Sequence, residues 1–346
     1  MTRLAVITQA VDDDDPVLSA TVPKLRALAA RVDQLVVVTG RSGRHDLPPN
    51  VRVVPFGAPG RVRRGVRYVA AVAPLVTRRK VDAVVAHMSP IYLVLAAPLA
   101  RPARVPLLLW YTHPHASPTL RLAAALASRR LTADATSFPL AATAVAIGHG
   151  IDVGAFRCRE TGAEGPLDVL ALGRYSSVKG YESILQATRR VLDEGVELTV
   201  TIHGPVSNEP ERRHRAELER LRDELRLERD VRLLDALPPL EARRRLGEAD
   251  ALVSNTRSGS ADKAVLEACA SCVPPIASTW RNVVPESLRF EAGDEVGLAA
   301  RLHELAALPA AERARLGREL RELVATSHSV DSWAEAVVRI AREAAG

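Results

Sequence analysis

Short, continuously apolar runs alternate with Ala-, Leu- and Arg-rich helical runs, and the alternation continues along almost the whole chain. A strand with no polar face is covered on both sides, so this pattern predicts parallel sheets sandwiched between helices. In the first half the strand-like runs are Arg3–Thr8, Gln34–Thr39, Val51–Phe56, Ala83–His87 and Val105–His113, with helical stretches over Thr21–Arg31 and Val66–Arg79. A second series begins with DVLALG at Asp168–Gly173 and a helix over Gly180–Leu192. Strands follow at Glu197–Gly204, Val231–Asp235, Ala249–Thr256 and Pro274–Thr279. At 346 residues the chain is long for one core and sufficient for two. The expected organisation is a Rossmann-like domain over 1–160, a second over 167–330, and a terminal helix over 331–346 that can cross back to the first domain. The linker is expected at Gly162–Pro166.

The charge balance narrows the partners. With 47 basic and 41 acidic residues the net charge is +6, a mild excess for this size. No zinc-finger spacing or RNA-binding signature accompanies the arginines, so nucleic acid is not an expected partner. Glu211–Arg229 carries alternating charges with Leu218, Leu221 and Leu225 on one face, which reads as a surface helix. Three cysteines do not make a disulfide scaffold, and the Cys269/Cys272 CxxC pair interrupts the apolar run Val265–Ile276, where packing is its expected role. The first residues turn acidic at Asp12–Asp15 before a long apolar segment develops, and Ile91–Ala100 is too short to span a bilayer. The cytoplasm is the expected compartment.

The sharpest local signal is GRYSSVKG at Gly173–Gly180, a strand running through a loop into a helix. Backbone N–H groups at such a helix start can hold a phosphate oxygen, and Arg174 adds a planar bidentate donor. Lys179 sits at the helix amino end, where a cation opposes the macrodipole, a conflict that an anion would relieve. No P-loop and no GxGxxG fingerprint is present, which argues against an NAD site. The second signal is SGSADKAVLEACA at Ser258–Ala270, where a small polar loop enters a helix. Asp262 can cap that helix or take a substrate hydroxyl, and Glu267 can accept hydrogen bonds from two neighbouring hydroxyls.

In combination these segments resemble the retaining glycosyltransferases of family 4, most strongly from Val145 to Trp333. VAIGHGID (Val145–Asp152), GRYSSVKG, TIHGP (Thr201–Pro205), VRLLDALP (Val231–Pro238), EADALVSNT, VLEACASCVPPIAS and FEAGDEVGLA (Phe290–Ala299) follow the family's order. The resemblance implies the GT-B fold, two Rossmann-like α/β/α domains facing each other across a cleft. It implies an acceptor-binding first domain and a second domain that binds a UDP- or GDP-linked sugar, with no metal or other cofactor required. Arg174 and Lys179 inherit the donor diphosphate, and Glu267 the ribose. Gly204 and Asp235 lie on the same donor side, with the chain around Leu234–Ala236 near the base. His113 is the candidate near the transferred sugar, with His115 in reserve.

One departure concerns the donor sugar. The family's second Glu, eight positions before the ribose Glu, is here Gly259, so sugar contacts would fall to Ser260, Asp262 or Lys263. The alternative is a non-catalytic nucleotide-sugar-binding homologue. The acceptor has two cues. Asp12–Asp15 suits a small cationic acceptor such as an amino sugar or aminocyclitol. The basic, partly amphipathic stretch Arg61–Lys80 suits peripheral contact with an anionic membrane and a lipid or cell-envelope acceptor.

Overall fold

The computed structural model describes residues 1–15, 18–140, 143–159, 165–257 and 262–346. The predicted linker therefore falls partly, and Gly259 and Ser260 wholly, outside the described residues. Two compact units emerge: Met1–Asp152 with Ser327–Gly346, and Val153–Thr326.

The first unit contains β1 (Arg3–Val11), α1 (Thr21–Ala29), β2 (Gln34–Ser42), β3 (Val51–Pro55), α2 (Arg61–Val76), β4 (Ala83–His87) and α3 (Pro90–Ala100). It continues through β5 (Leu107–Trp110), α4 (Pro118–Leu126), β6 (Arg129–Thr132) and β7 (Val145–Ala146). The sheet order is β3-β2-β1-β4-β5-β6-β7, and the paired strands are parallel. β4 and β5 are buried along their whole length, as continuous apolar runs require. One side of the sheet is packed by Phe56, Tyr68 and Tyr92, whose ring centroids lie 4.7 to 5.2 Å apart. The Tyr68 hydroxyl, which burial keeps protonated, donates to the Tyr92 carbonyl at 2.6 Å.

Several expectations need revising. The run Val105–His113 is strand only over Leu107–Trp110, after which the chain turns into an exposed loop carrying His113 and His115. The helix expected from Val66 starts at Arg61, because its four early arginines are exposed and helix propensity at such positions is high. The acidic run is not an open anionic patch. Asp13 pairs with Arg26 at 3.4 Å, Asp14 with Arg44 at 2.5 Å, and Asp15 with Arg41. Arg44 holds Asp14 below its ordinary pKa mainly through their hydrogen bond. A cationic acceptor would have to displace these arginines.

The second unit contains β8 (Leu167–Leu172), α5 (Tyr181–Asp193), β9 (Leu198–Gly204), α6 (Glu209–Glu224), β10 (Val231–Asp235) and α7 (Pro239–Glu248). β11 (Ala251–Ser254), α8 (Lys263–Ala270), β12 (Pro275–Ala277), α9 (Glu295–Ala307) and α10 (Ala310–Ser327) complete it. Its parallel sheet runs β10-β9-β8-β11-β12. α6 is a surface helix, yet Glu211 and His214 on it are buried along with Leu218. The last helix, α11 (Val330–Ala345), belongs to the first unit, where it packs on α1.

The cysteine reading is corrected. Cys272 is bonded to Cys158, Cα to Cα 5.1 Å, while Cys269 is a buried free thiol. Burial pushes that thiol up to about 12, so it is an inert packing residue. The CxxC spacing concealed the pairing because the partner lies 114 residues away. Closing a loop of that length removes unfolded-state entropy equivalent to about 4–5 kcal/mol in the chain-entropy account.

Candidate donor site

In the second unit β8 is flanked by β9 on one side and β11 on the other. The connections diverge at that point, and in an open α/β sheet a crevice forms there above the carboxyl ends of the strands. The Gly173–Gly180 loop leaves β8 at this point, and the segment Ser254–Arg257 leaves β11 beside it.

The loop is held from below. Gly173 continues the ladder by donating its N–H to the His203 carbonyl at 3.0 Å. Gly204 allows this closeness, since a Cβ there would collide with the Gly173 carbonyl oxygen. The buried Tyr181 hydroxyl donates to that same carbonyl at 2.8 Å. Burial, reinforced by Asp262, pushes the Tyr181 phenol well above its ordinary range, so it stays a donor. The buried Tyr175 hydroxyl shares its proton between the carbonyls of Ile202 (3.1 Å) and Leu234 (2.9 Å). A short 3-10 turn over Ser177–Lys179 ends at Gly180, whose φ of 57° is a left-handed conformation that glycine adopts without strain. The Asn255 amide donates to the Gly180 carbonyl at 2.8 Å and accepts the Gly293 N–H at 2.9 Å. Arg257 donates its N–H to Val178 at 2.8 Å. Three separated segments are thereby pinned at the amino end of α5.

Lys179 reaches across Gly173 to Asp262, Nζ to Oδ2 2.6 Å, with the two side chains 21% and 11% exposed. Asp262 also accepts from Ser254 (2.7 Å), Thr256 (3.2 Å) and the Ala264 N–H (3.3 Å), so it caps α8 as well. Burial alone would raise its pKa, but Lys179 and these donors bring it below the ordinary carboxylate value. The predicted conflict between Lys179 and the helix macrodipole is thus already relieved by a carboxylate of the chain itself.

Arg174 is different. Its guanidinium is 65% exposed and only 3.5 Å from the buried Glu211, whose carboxylate also accepts the Ser207 N–H at 2.7 Å. It is anchored at one edge and open at the others. Lys263 pairs with Glu267 at 2.8 Å one turn along α8, so the Glu267 carboxylate is partly exposed and neutralised. Asp235, at the end of β10, pairs with Arg215, which lies 5.0 Å over the Tyr175 ring.

The structure brings Arg174, Lys179, Gly204, Asp262, Lys263 and Glu267 to the carboxyl edge of one sheet. His113 lies in the other unit, on the loop after β5, with its Nδ1 accepting the His115 N–H at 3.2 Å. Tyr181, Asn255, Arg257 and Glu211 escaped the sequence reading. For Asn255 the signal was present, since a polar triplet ending an apolar strand marks a carboxyl-edge position. Among the described residues no group of three or more His, Cys, Asp or Glu side chains is placed to hold a metal. None of the described helices is long and apolar enough to cross a membrane.

Residues 156–293 match the family described as glycosyl transferases group 1. No curated protein matches the chain as a sequence. Among solved structures the chain is similar to sucrose-phosphate synthase from Thermosynechococcus elongatus, at 17% identity and TM-score 0.75, covering 99% of each chain. It is also similar to Anabaena HepE in complex with UDP, at 16% identity and TM-score 0.76, covering 99% of this chain and 100% of that one. A glycosyltransferase from Rickettsia africae gives 12% identity and TM-score 0.75, covering 99% and 98%. These likenesses establish the fold as the GT-B type, with two Rossmann-like domains.

Proposed function

We propose that this GT-B glycosyltransferase, whose residues 156–293 match the glycosyl transferases group 1 family, moves a sugar with retention from a UDP- or GDP-linked donor to an acceptor hydroxyl. The observation that carries the reading is the pinned Gly173–Gly180 loop at the strand switch point, with an exposed Arg174 and the amino end of α5. In this reading Arg174 and Lys179 hold the diphosphate, and Glu267 holds the ribose hydroxyls. As the bond from anomeric carbon to phosphate oxygen breaks, the new bond to the acceptor oxygen forms on the same face. The acceptor proton passes to the leaving phosphate oxygen. Charge building on that phosphate is met by the two cations and helix-terminal N–H groups, which is where binding energy accelerates the step. His113 positions sugar or acceptor oxygens. The UDP complex of HepE, a protein of the same fold, supports UDP as the first nucleotide to test.

Calorimetry with UDP, GDP, ADP and dTDP, with and without magnesium, tests the donor reading. One nucleotide is expected to bind independently of magnesium. Arg174→Ala is expected to weaken it about 10- to 100-fold, the loss of one charge-assisted hydrogen-bonding group. Absence of binding by all four nucleotides would overturn the reading.

A lipid or cell-envelope acceptor is the second reading, favoured by α2. Val62 and Val66 on it are 82% and 64% exposed among the exposed Arg61, Arg63, Arg64 and Arg67. Apolar side chains within a basic helix face suit an anionic bilayer surface. Co-sedimentation with phosphatidylglycerol vesicles is expected, with loss in Val62→Asp/Val66→Asp. Equal sedimentation of the wild type and that variant would remove this reading.

A further inference from the structure

The first unit has its own strand switch point, where β1 lies between β2 and β4. Above the carboxyl ends of these strands is a cleft of about 750 Å³. It is bounded by Gln9 and Ala10 of β1, Arg41 of β2, the start of α3 at Ser89–Tyr92, and Arg64 of α2. That volume lies within the range of small-molecule sites.

The charges in its wall have one sign. Arg41 and Arg64 line the cleft, and among the described residues no Asp or Glu does. Arg41 pairs with the buried Asp15, and the Arg41 side chain itself stays 63% exposed. Arg64 is exposed, and its guanidinium donates to the Ala58 carbonyl at 3.3 Å. Arg67 donates to the Gly57 carbonyl at 2.6 Å and so fixes the loop that forms one wall. The Gly60 and Ser89 N-caps of α2 and α3 supply no side-chain cap bond, and α2 has no acidic residue in its first turn. Two guanidinium forks on different elements offer donors in several directions. A tetrahedral phosphate with three peripheral oxygens satisfies such a set, whereas a planar carboxylate needs only one fork. A cationic ligand would meet unfavourable charge here.

We infer that this cleft binds a phosphate-bearing ligand, with Arg41 and Arg64 on the phosphate. Its role as the acceptor's phosphate rests on the transferase reading above, but its binding does not. The phosphate can come from a soluble sugar phosphate or from a lipid headgroup.

The test titrates wild type, Arg64→Ala and Arg41→Ala with glucose 6-phosphate, inorganic phosphate and glucose, and in parallel with UDP. Sedimentation with phosphatidylglycerol vesicles reports the lipid source, with Arg78→Ala, an exposed arginine in the turn after α2, as the charge-matched control. Glucose 6-phosphate is expected to bind, at least tenfold tighter than glucose, and to weaken at least tenfold in Arg64→Ala. If lipid is the source, vesicle binding instead falls in Arg64→Ala and not in Arg78→Ala. Arg41→Ala strips the buried Asp15 of its partner, so Arg64→Ala decides the matter if that variant fails to fold. The inference is overturned if no phosphate probe binds, if glucose binds as well as its phosphate, or if Arg64→Ala and Arg78→Ala lose vesicle binding equally. The UDP titration reports separately on the donor domain, so failure of the donor reading is distinguishable from failure of this one.

Discussion

Replacing Lys179 by alanine is expected to weaken nucleotide binding at least tenfold and to destabilise the second unit by about 2–3 kcal/mol. The stability loss follows from the carboxylate left behind. Asp262 is largely buried, and removing the lysine 2.6 Å away strands its charge among Ser254, Thr256 and the Ala264 N–H. Breaking a fully buried pair costs about 3–5 kcal/mol, and the three remaining donors with the residual exposure reduce that figure. Lys179→Ala/Asp262→Ala separates structure from function. The second replacement removes the stranded charge and should recover most of the stability, less about 1 kcal/mol for the lost α8 cap. Nucleotide affinity should stay low if the ammonium holds phosphate. Recovery of affinity in the double variant would make Lys179 a structural residue only. The pH dependence has a definite sign. The folded Asp262 has a lowered pKa, so its contribution is complete above the unfolded value near ~3.9 and is lost as pH falls through the lower, folded one. Acid melts of wild type and Asp262→Asn should therefore converge only below about pH 4.

What was legible in the residues and what was not divide along a physical line. Apolar runs and turn residues act over a few positions, so the parallel strands and the strand–loop–helix passage at Gly173–Gly180 could be read directly. The partners that decide how this loop behaves lie far away in the chain. Asp262 is 83 residues from Lys179, and Asn255 is 75 from Gly180. Nothing in the periodicity of either segment encodes that meeting. The same limit applies to Cys158 and Cys272, and to Asp13–Asp15, whose arginine partners sit on α1, on β2 and just beyond it. Charge runs are therefore poor indicators of an open site until their partners are known. A mildly basic composition also hides its distribution, because Arg44 is spent on Asp14 while Arg64 faces a cleft.

The C-terminal helix supplies the second large effect, and it should appear in the first unit. Trp333→Ala is expected to lower that unit's stability by about 3–5 kcal/mol, the cost of emptying a fully buried large aromatic site. Trp333 is buried beside Trp110 and His87, with centroids 6.2 and 6.1 Å away, and the Lys24 ammonium lies 5.8 Å over its ring. Among the described residues the indole N–H of Trp333 has no hydrogen-bond partner. Trp333→Phe therefore forfeits packing volume but no donor, and should cost well under half as much as alanine. With two units the melt need not be two-state, and calorimetry should resolve a transition for each. The alanine variant should lower one transition and leave the other, with UDP affinity, unchanged. That separation is what the return of α11 to the first unit entails, since its buried face packs on α1 and β4 of that unit. A parallel fall of both transitions, or a phenylalanine variant as unstable as alanine, would contradict this account of α11.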